Sequence, residues 1–146
     1  MRNEWVDEKQ SEIEGFGLFA KKKIPKGTKI IQYVGKYVTK DQAEEVEDQR
    51  YLFELNDIFD IDGKVDWNPA RLVNHSCDPN CEVENIDDEI WIVALKDIKT
   101  GGELSYNYGY GLDDYEDWPC NCRSKNCVGF MVDEDLWDKL PKKEKN

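Results

Sequence analysis

Three thiols crowd one short stretch near the C-terminal end of the chain, Cys120-Asn121-Cys122-Arg123-Ser124-Lys125-Asn126-Cys127, a C-x-C-x4-C array. Three thiolates are one ligand short of a tetrahedral zinc site, whose usual complement is four Cys or His groups. Upstream, Asn74-His75-Ser76-Cys77-Asp78-Pro79-Asn80 carries a Cys that could complete the set, and Cys81 follows it directly. Cys81 opens an apolar strand-like run, which fits a buried, inert thiol better. A loop as short as the C-terminal array has no room for a hydrophobic core. It gains order from metal, and structural zinc binding is worth on the order of 10–16 kcal/mol in small sites. Left bare, thiols at this density are an oxidation liability. Between the two cysteine segments lies Glu103-Leu104-Ser105-Tyr106-Asn107-Tyr108, with two tyrosines on strand-forming sequence. His75, the single histidine, is two positions from Cys77. That spacing, with Cys77 better used on metal and no G-x-S-x-G or H-E-x-x-H motif, speaks against a Cys-His hydrolase.

Composition limits the partners these residues can serve. With 146 residues the chain is expected to form one compact domain, and 36% charged residues leave it a thin core. A net charge of -12 argues against duplex DNA, which needs a Lys/Arg footprint. It favours a basic partner such as a Lys/Arg-rich peptide. Five cysteines, an odd number with three in one array, do not make a disulfide framework. Metal in a reducing compartment is the expectation. The N-terminus has no apolar core of a signal peptide and the chain has no membrane-spanning run, so an intracellular protein with no membrane partner is expected.

The elements that must position these groups are short. Residues 11–20 read as a glycine-rich turn entering a strand, and Ile24 to Thr28 as a turn. Lys29 to Thr39 is a strand pair broken at Gly35. Asp41 to Arg50 is a polar helix capped by Thr39 or Asp41. Strands are expected over Tyr51–Leu55 and Ile58–Asp62, with a turn at Asn56-Asp57. Asn68 to Asn74 is a short helix, Asn68 capping it and Pro69 in first position. Cys81–Asn85 and Ile90–Leu95 form a hairpin about Asp87-Asp88, and Lys99–Gly102 turns the chain into a strand over Glu103–Tyr108. The tail after Met131, ending in Lys142, Lys143 and Lys145, is expected to fray. Many short strands and few helices indicate a mostly-β domain.

The Asn-His-Ser-Cys segment, the Glu-Leu-Ser-Tyr-Asn-Tyr segment and the C-terminal cysteine array, in this order, resemble the signature of SET-domain protein lysine methyltransferases with a post-SET zinc element. The resemblance runs from about Gly15 to about Phe130. It implies the SET fold: several small curved sheets with a knot-like threaded C-terminal strand. The SET domain would occupy residues 1–111, with an insert at about 40–68, and the post-SET zinc segment and tail residues 112–146. It also implies S-adenosylmethionine as cofactor and a structural zinc held by Cys77, Cys120, Cys122 and Cys127. Gly15, Phe16 and Gly17 match the family's first cofactor segment, and Tyr51 the segment whose Tyr reaches the cofactor. Asn74 and His75 would border the adenine with their backbone, Arg71 would brace a loop crossing or a carboxylate, and Phe130 would close over the adenine. Tyr108, which also borders the cofactor, maps to the family's catalytic Tyr. Tyr106 maps to the adjacent aromatic that limits the product, favouring mono- or dimethylation. Asn107 stands where the family has Asp. The substrate would be a basic protein or peptide, with a histone tail as one candidate, placing the protein in the cytoplasm or at chromatin. Only 14 residues precede Gly15, none of them Cys. The cysteine-rich segment that precedes the SET region in many family members is thus unmatched, as expected of a minimal enzyme or a trimmed domain. A zinc-stabilised peptide-binding module without turnover is the alternative.

Tyrosines suit methyl transfer to lysine. The amine has a solution pKa near 10.4, and only its neutral form has a lone pair. Deprotonation at pH 7 costs about 4.6 kcal/mol, and a narrow aromatic channel lowers that cost by desolvating the ammonium. Tyrosine hydroxyls can then orient the lone pair. Tyr33, Phe59, Tyr106, Tyr108 and Tyr110 are the candidate channel aromatics.

Overall fold

The computed structural model describes residues 3–13, 15–110, 112, 115–120, 122 and 124–140. The expected fraying of residues 141–146 and the boundary at Gly111 fall outside the described residues. In chain order the first strands are β1 (Val6–Gln10), β2 (Phe16–Ala20), β3 (Lys29–Tyr33) and β4 (Lys36–Thr39), followed by α1 (Lys40–Glu44). Then come β5 (Leu52–Glu54), β6 (Phe59–Asp62), β7 (Asn74–His75), β8 (Cys81–Ile86), β9 (Glu89–Ala94) and β10 (Ser105–Tyr106). They form four small sheets, with orders β1-β2, β3-β9-β8, β4-β6-β5 and β7-β10. The core that binds them together is built from inward residues such as Leu18, Ile24, Ile31, Ile92 and Leu104. Sheets this small cannot each bury a face alone, so they share one core.

The β8–β9 hairpin turns at Asp87 and Asp88, with φ of 52° and 61°. Both central residues are left-handed, the requirement of a type I′ turn, and Asp accepts that conformation more readily than most residues. The Thr39 cap also forms. The Gln42 amide donates to Thr39 Oγ1 at 3.2 Å and the Thr39 amide to Gln42 Oε1 at 2.9 Å, a complete capping box.

Three expectations need correction, and one strand was missed. The helix over 41–50 is only α1, followed by a separate turn of 3-10 helix at Gln49–Tyr51. α1 buries Ala43 alone, and the acidic run after it offers no apolar stripe to extend the helix. β1 was not anticipated, because Asp7, Glu8 and Lys9 hide any alternation. It is an edge strand in which only Val6 is buried, and such edges carry charge by preference. The expected strand over Glu103–Tyr108 reduces to β10, with Glu103 in an isolated bridge to Phe19. Finally, residues 69–72 form a single 3-10 turn that Asn68 does not cap with its side chain.

Asn68 is fully buried instead. Its Nδ2 donates to the Gly63 carbonyl at 3.0 Å, and its Oδ1 accepts from the Val34 amide at 3.2 Å. It thereby ties the insert to the turn that leads into β7. Asn68→Leu strips both groups of their partner, and an unmet buried group costs about 1–3 kcal/mol. The expected loss is roughly 2 kcal/mol or more, read as a lower denaturation midpoint. An unchanged midpoint would contradict this role.

Candidate active site and metal centre

The parallel pair β7–β10 sets Asn74 beside Ser105 and His75 beside Tyr106. Two segments some thirty positions apart in sequence thus become neighbours. Past the pair, the Tyr108 amide donates to His75 Nδ1 at 2.9 Å. The neutral ring therefore carries its proton on Nε2, which faces Cys77 Sγ at 3.7 Å. The buried imidazole is a strut between the tyrosine segment and the first cysteine. Nothing in the sequence signalled that link, and His75 is in no position to act as a base.

The Tyr108 hydroxyl donates to the Val73 carbonyl at 2.6 Å. With its proton committed there, the phenol turns acceptor oxygen toward other groups. Its ring lies 4.8 Å from that of Tyr106, which in turn lies 6.2 Å from Phe53. Phe53 meets Tyr33 edge-on at 4.5 Å, and Tyr110 and Trp118 continue the row on the other side. Phe59, expected in this row, meets the exposed Tyr37 at a tilt of 39° instead, and Phe53 takes its place. Burial first, then the neighbouring Tyr108, holds the Tyr106 phenol well above its usual pKa. Burial likewise raises Tyr33, whose hydroxyl donates to the Tyr51 carbonyl at 2.8 Å. Both phenols keep their protons at neutral pH.

Tyr106 and Tyr108, but not Tyr33 or Tyr110, open on a cleft of about 430 Å³, within the usual range for small-ligand sites. Of the residues singled out from the sequence, Gly15, Phe16, Tyr51, Arg71, Asn74, Tyr106 and Tyr108 line it. Arg71 also donates to the Asn68 carbonyl at 3.1 Å, bracing its own turn. Gly15 has a φ of +48° and open space around it, so the backbone conformation itself calls for glycine. Gly17, His75 and Phe130 lie outside the lining. Phe130 meets Tyr115 edge-on at 4.9 Å, while its neighbour Met131 reaches the cleft.

Arg50, Trp118 and Met131 were missed, since each sits in a segment without a motif. Arg50 lies over Tyr51 at 5.4 Å and Trp118 at 5.8 Å, joining the insert to the C-terminal segment. Asp48 fixes it with two hydrogen bonds of 2.9 and 2.7 Å, and Arg50 in return holds the Asp48 carboxyl well below the usual carboxylate range.

The sulfur atoms of Cys77, Cys120, Cys122 and Cys127 lie within 4.8 Å of one another. Tetrahedral zinc with bonds of about 2.3 Å sets its sulfurs about 3.8 Å apart, and Cys77 and Cys120 stand at 3.9 Å. Backbone amides of Cys77, Cys122 and Gly129 each approach a sulfur at 3.4 Å, a setting that stabilises thiolate. The hydrogen bond between Cys77 and Cys120, with a second contribution from His75, draws the Cys77 thiol below its usual range against the effect of burial. The same bond to Cys77 raises Cys120. The four donors fit zinc in number, type and spacing. Cys81 stays apart in β8, and burial pushes its thiol up to about 12.

Comparison with known families adds the decisive observation: the SET domain family model matches residues 15–109. The chain belongs to the SET-domain family. Histone-lysine N-methyltransferase 2D of Homo sapiens is 34% identical to this SET domain over 146 residues, covering 90% of the chain and 3% of that protein. Histone-lysine N-methyltransferase 2B of Homo sapiens is 37% identical over 134 residues, 84% of the chain and 5% of that protein. The H3 lysine-4 specific histone-lysine N-methyltransferase of Mycosarcoma maydis is 36% identical over 136 residues, 84% of the chain and 9% of that protein. The SET domain thus spans 3 to 9% of the length of these relatives. Among the described residues no helix is long and apolar enough to cross a membrane.

Proposed function

We propose that the chain is an S-adenosylmethionine-dependent protein-lysine N-methyltransferase acting on a basic peptide segment, with histone tails the first candidates. One observation carries this reading. Tyr106 and Tyr108 sit in the same cleft as Gly15, Phe16, Tyr51 and Asn74, at the meeting point of β7 and β10. Kinship with proteins named histone-lysine N-methyltransferases supports it. Zinc at Cys77, Cys120, Cys122 and Cys127 is part of the proposal, as is an intracellular site of action.

When bound, S-adenosylmethionine supplies a methyl group on a sulfonium sulfur, which leaves as a neutral thioether. The N-terminal segment and Asn74 would hold that cofactor. The aromatic row from Phe53 to Tyr110 would take the lysine side chain, excluding water and making its neutral amine easier to reach. The proton leaves to bulk water before the transfer, so no side chain need act as a strong base. The Tyr108 oxygen, fixed by Val73, orients the amine.

An extended peptide adding to a sheet of the insert needs a free strand edge. β6, however, has β4 on one side and β5 on the other, so its edges are taken. Asp60 also engages Lys40. β5 ends the sheet, and its Phe53 touches the tyrosine row, so an extended peptide adding along β5 would bring a lysine to the cleft. Exposed Glu54, Asp57 and Asp88 would favour flanking Arg or Lys. Turnover on a basic peptide should fall as salt shortens the Debye length toward about 3 Å at 1 M. Salt-independent rates would remove the electrostatic part of this account.

Tyr106 is proposed as the product gate, its hydroxyl holding a water where a further methyl group would need room. Tyr106→Phe should shift the product toward higher methylation. Accumulation of trimethyl-lysine by the wild type over a long time course would contradict the assignment. The overall proposal is tested by incubating the protein with labelled cofactor and a panel of histones and lysate proteins, then locating modified lysines by mass spectrometry. Tight binding of S-adenosylhomocysteine and peptide without any modified lysine would favour a binding module.

A further inference from the structure

Gly17 matches the cofactor segment in sequence, yet its Cα does not face the cleft. A Cβ built there would collide with Glu103 Oε2 and come within 3.3 Å of Asn74 Nδ2. The space left by the missing side chain is filled by a carboxylate. That carboxylate accepts from Ser11 Oγ at 2.8 Å through each of its oxygens, and from Asn74 Nδ2 at 2.9 Å. Asn74 Nδ2 also donates to Ser11 Oγ at 3.1 Å and to the Phe16 carbonyl at 3.3 Å. Ser11 Oγ accepts from the Ile13 amide at 2.9 Å, and the Ser11 amide donates to the Gly15 carbonyl at 2.7 Å. The turn carrying Ile13, Gly15 and Phe16 is thereby tied to Asn74 through one charged group. All four of these residues line the cleft; Glu103 and Ser11 do not.

We infer that Glu103 is a positioning residue for the cofactor site, and that Gly17 is glycine in order to admit its carboxylate. The inference rests on the reading of this cleft as the S-adenosylmethionine site. Two consequences follow from the chemistry. With its NH2 group drawn toward Glu103, Ser11 and Phe16, the Asn74 amide is held in one orientation, with its carbonyl oxygen turned away from Glu103. The N-terminal turn, which has few apolar anchors of its own, is held where its backbone forms one wall of the site. A charged acceptor serves this better than a neutral one, because hydrogen bonds to an ionised group are shorter and roughly twice as strong. Glu103 is therefore the residue of the Glu-Leu-Ser-Tyr-Asn-Tyr segment that prepares the cofactor wall, while Tyr106 and Tyr108 in the same segment face the reacting groups.

A double-mutant cycle on the full chain tests this, read as affinity for S-adenosylhomocysteine by calorimetry. Glu103→Ala and Gly17→Ala should each weaken binding by about 10- to 100-fold. The double variant should be little weaker than Glu103→Ala alone, since the added methyl then meets empty space. Glu103→Gln keeps the shape and serves if the alanine variant does not fold; it removes the charge and one acceptor oxygen and should raise the cofactor KM far more than it changes kcat. If Gly17 matters only because the cofactor approaches it, Gly17→Ala will cost the same in both backgrounds, and the inference fails. Glu103→Gln with wild-type affinity would overturn it as well. Absence of S-adenosylhomocysteine binding by the wild type would overturn the cofactor reading itself, and this inference with it.

Discussion

Tyr108→Phe should lower turnover on a lysine-containing peptide by about 100-fold or more, with cofactor affinity changed little. The substitution removes one oxygen and nothing else. That oxygen is held 2.6 Å from the Val73 carbonyl and sits in the aromatic row where the amine would lie. An acceptor fixed in place costs no reorganisation at the moment of reaction, which is why its loss shows in kcat rather than in binding. Losing the Val73 bond should also cost about 1 kcal/mol of stability, so a small fall in melting temperature is expected alongside. The His75–Tyr108 backbone bond is untouched, so the segment keeps its course. Measured kcat, S-adenosylhomocysteine affinity and melting temperature separate these effects. A kcat within a few-fold of wild type would remove Tyr108 from the chemistry.

Stripping zinc should have the next largest effect. The segment from Trp118 to Met131 holds together through backbone bonds such as Cys120 N to Gly129 O at 2.9 Å and Met131 N to Trp118 O at 2.9 Å. Its three sulfurs converge with that of Cys77, with no disulfide among the described residues. The same segment gives Trp118, Pro119 and Met131 to the cleft. Chelation, or Cys122→Ser, should therefore loosen one wall and weaken cofactor binding by about 10-fold or more, given how much folding energy small zinc sites supply. Elemental analysis should find one zinc per chain before treatment. Cys81→Ser is the control: it lies outside the cluster and should leave the zinc content unchanged. Full activity of Cys122→Ser would break the proposed coupling of metal to cofactor site.

How much of this could be read from residue order varied with the kind of contact. Cys120, Cys122 and Cys127 were legible because metal ligation demands specific side chains at short spacings, whereas Cys77, far upstream, came only through the family resemblance. The Asp87-Asp88 turn and the Thr39 cap were legible because local hydrogen bonding specifies them. β7 and its pairing with β10 were not: a two-residue strand shows no period, and parallel pairing is a long-range event. Arg50 and Trp118 meet only because the insert and the C-terminal segment converge, and neither has a motif to announce it. Asn68 misled because a residue that commonly caps helices here satisfies two buried backbone groups. Gly17 was read as part of the cofactor segment, whereas the group that stands where its side chain would be is Glu103.

The most direct test is mass spectrometry of a lysine-rich histone-tail peptide incubated with the purified wild-type protein and S-adenosylmethionine, with Tyr108→Phe in parallel. The account predicts that the wild type adds one or two methyl groups to a lysine Nζ while Tyr108→Phe adds almost none. A peptide that binds at the cleft and gains no methyl group from the wild type, across a panel of basic sequences, would contradict it.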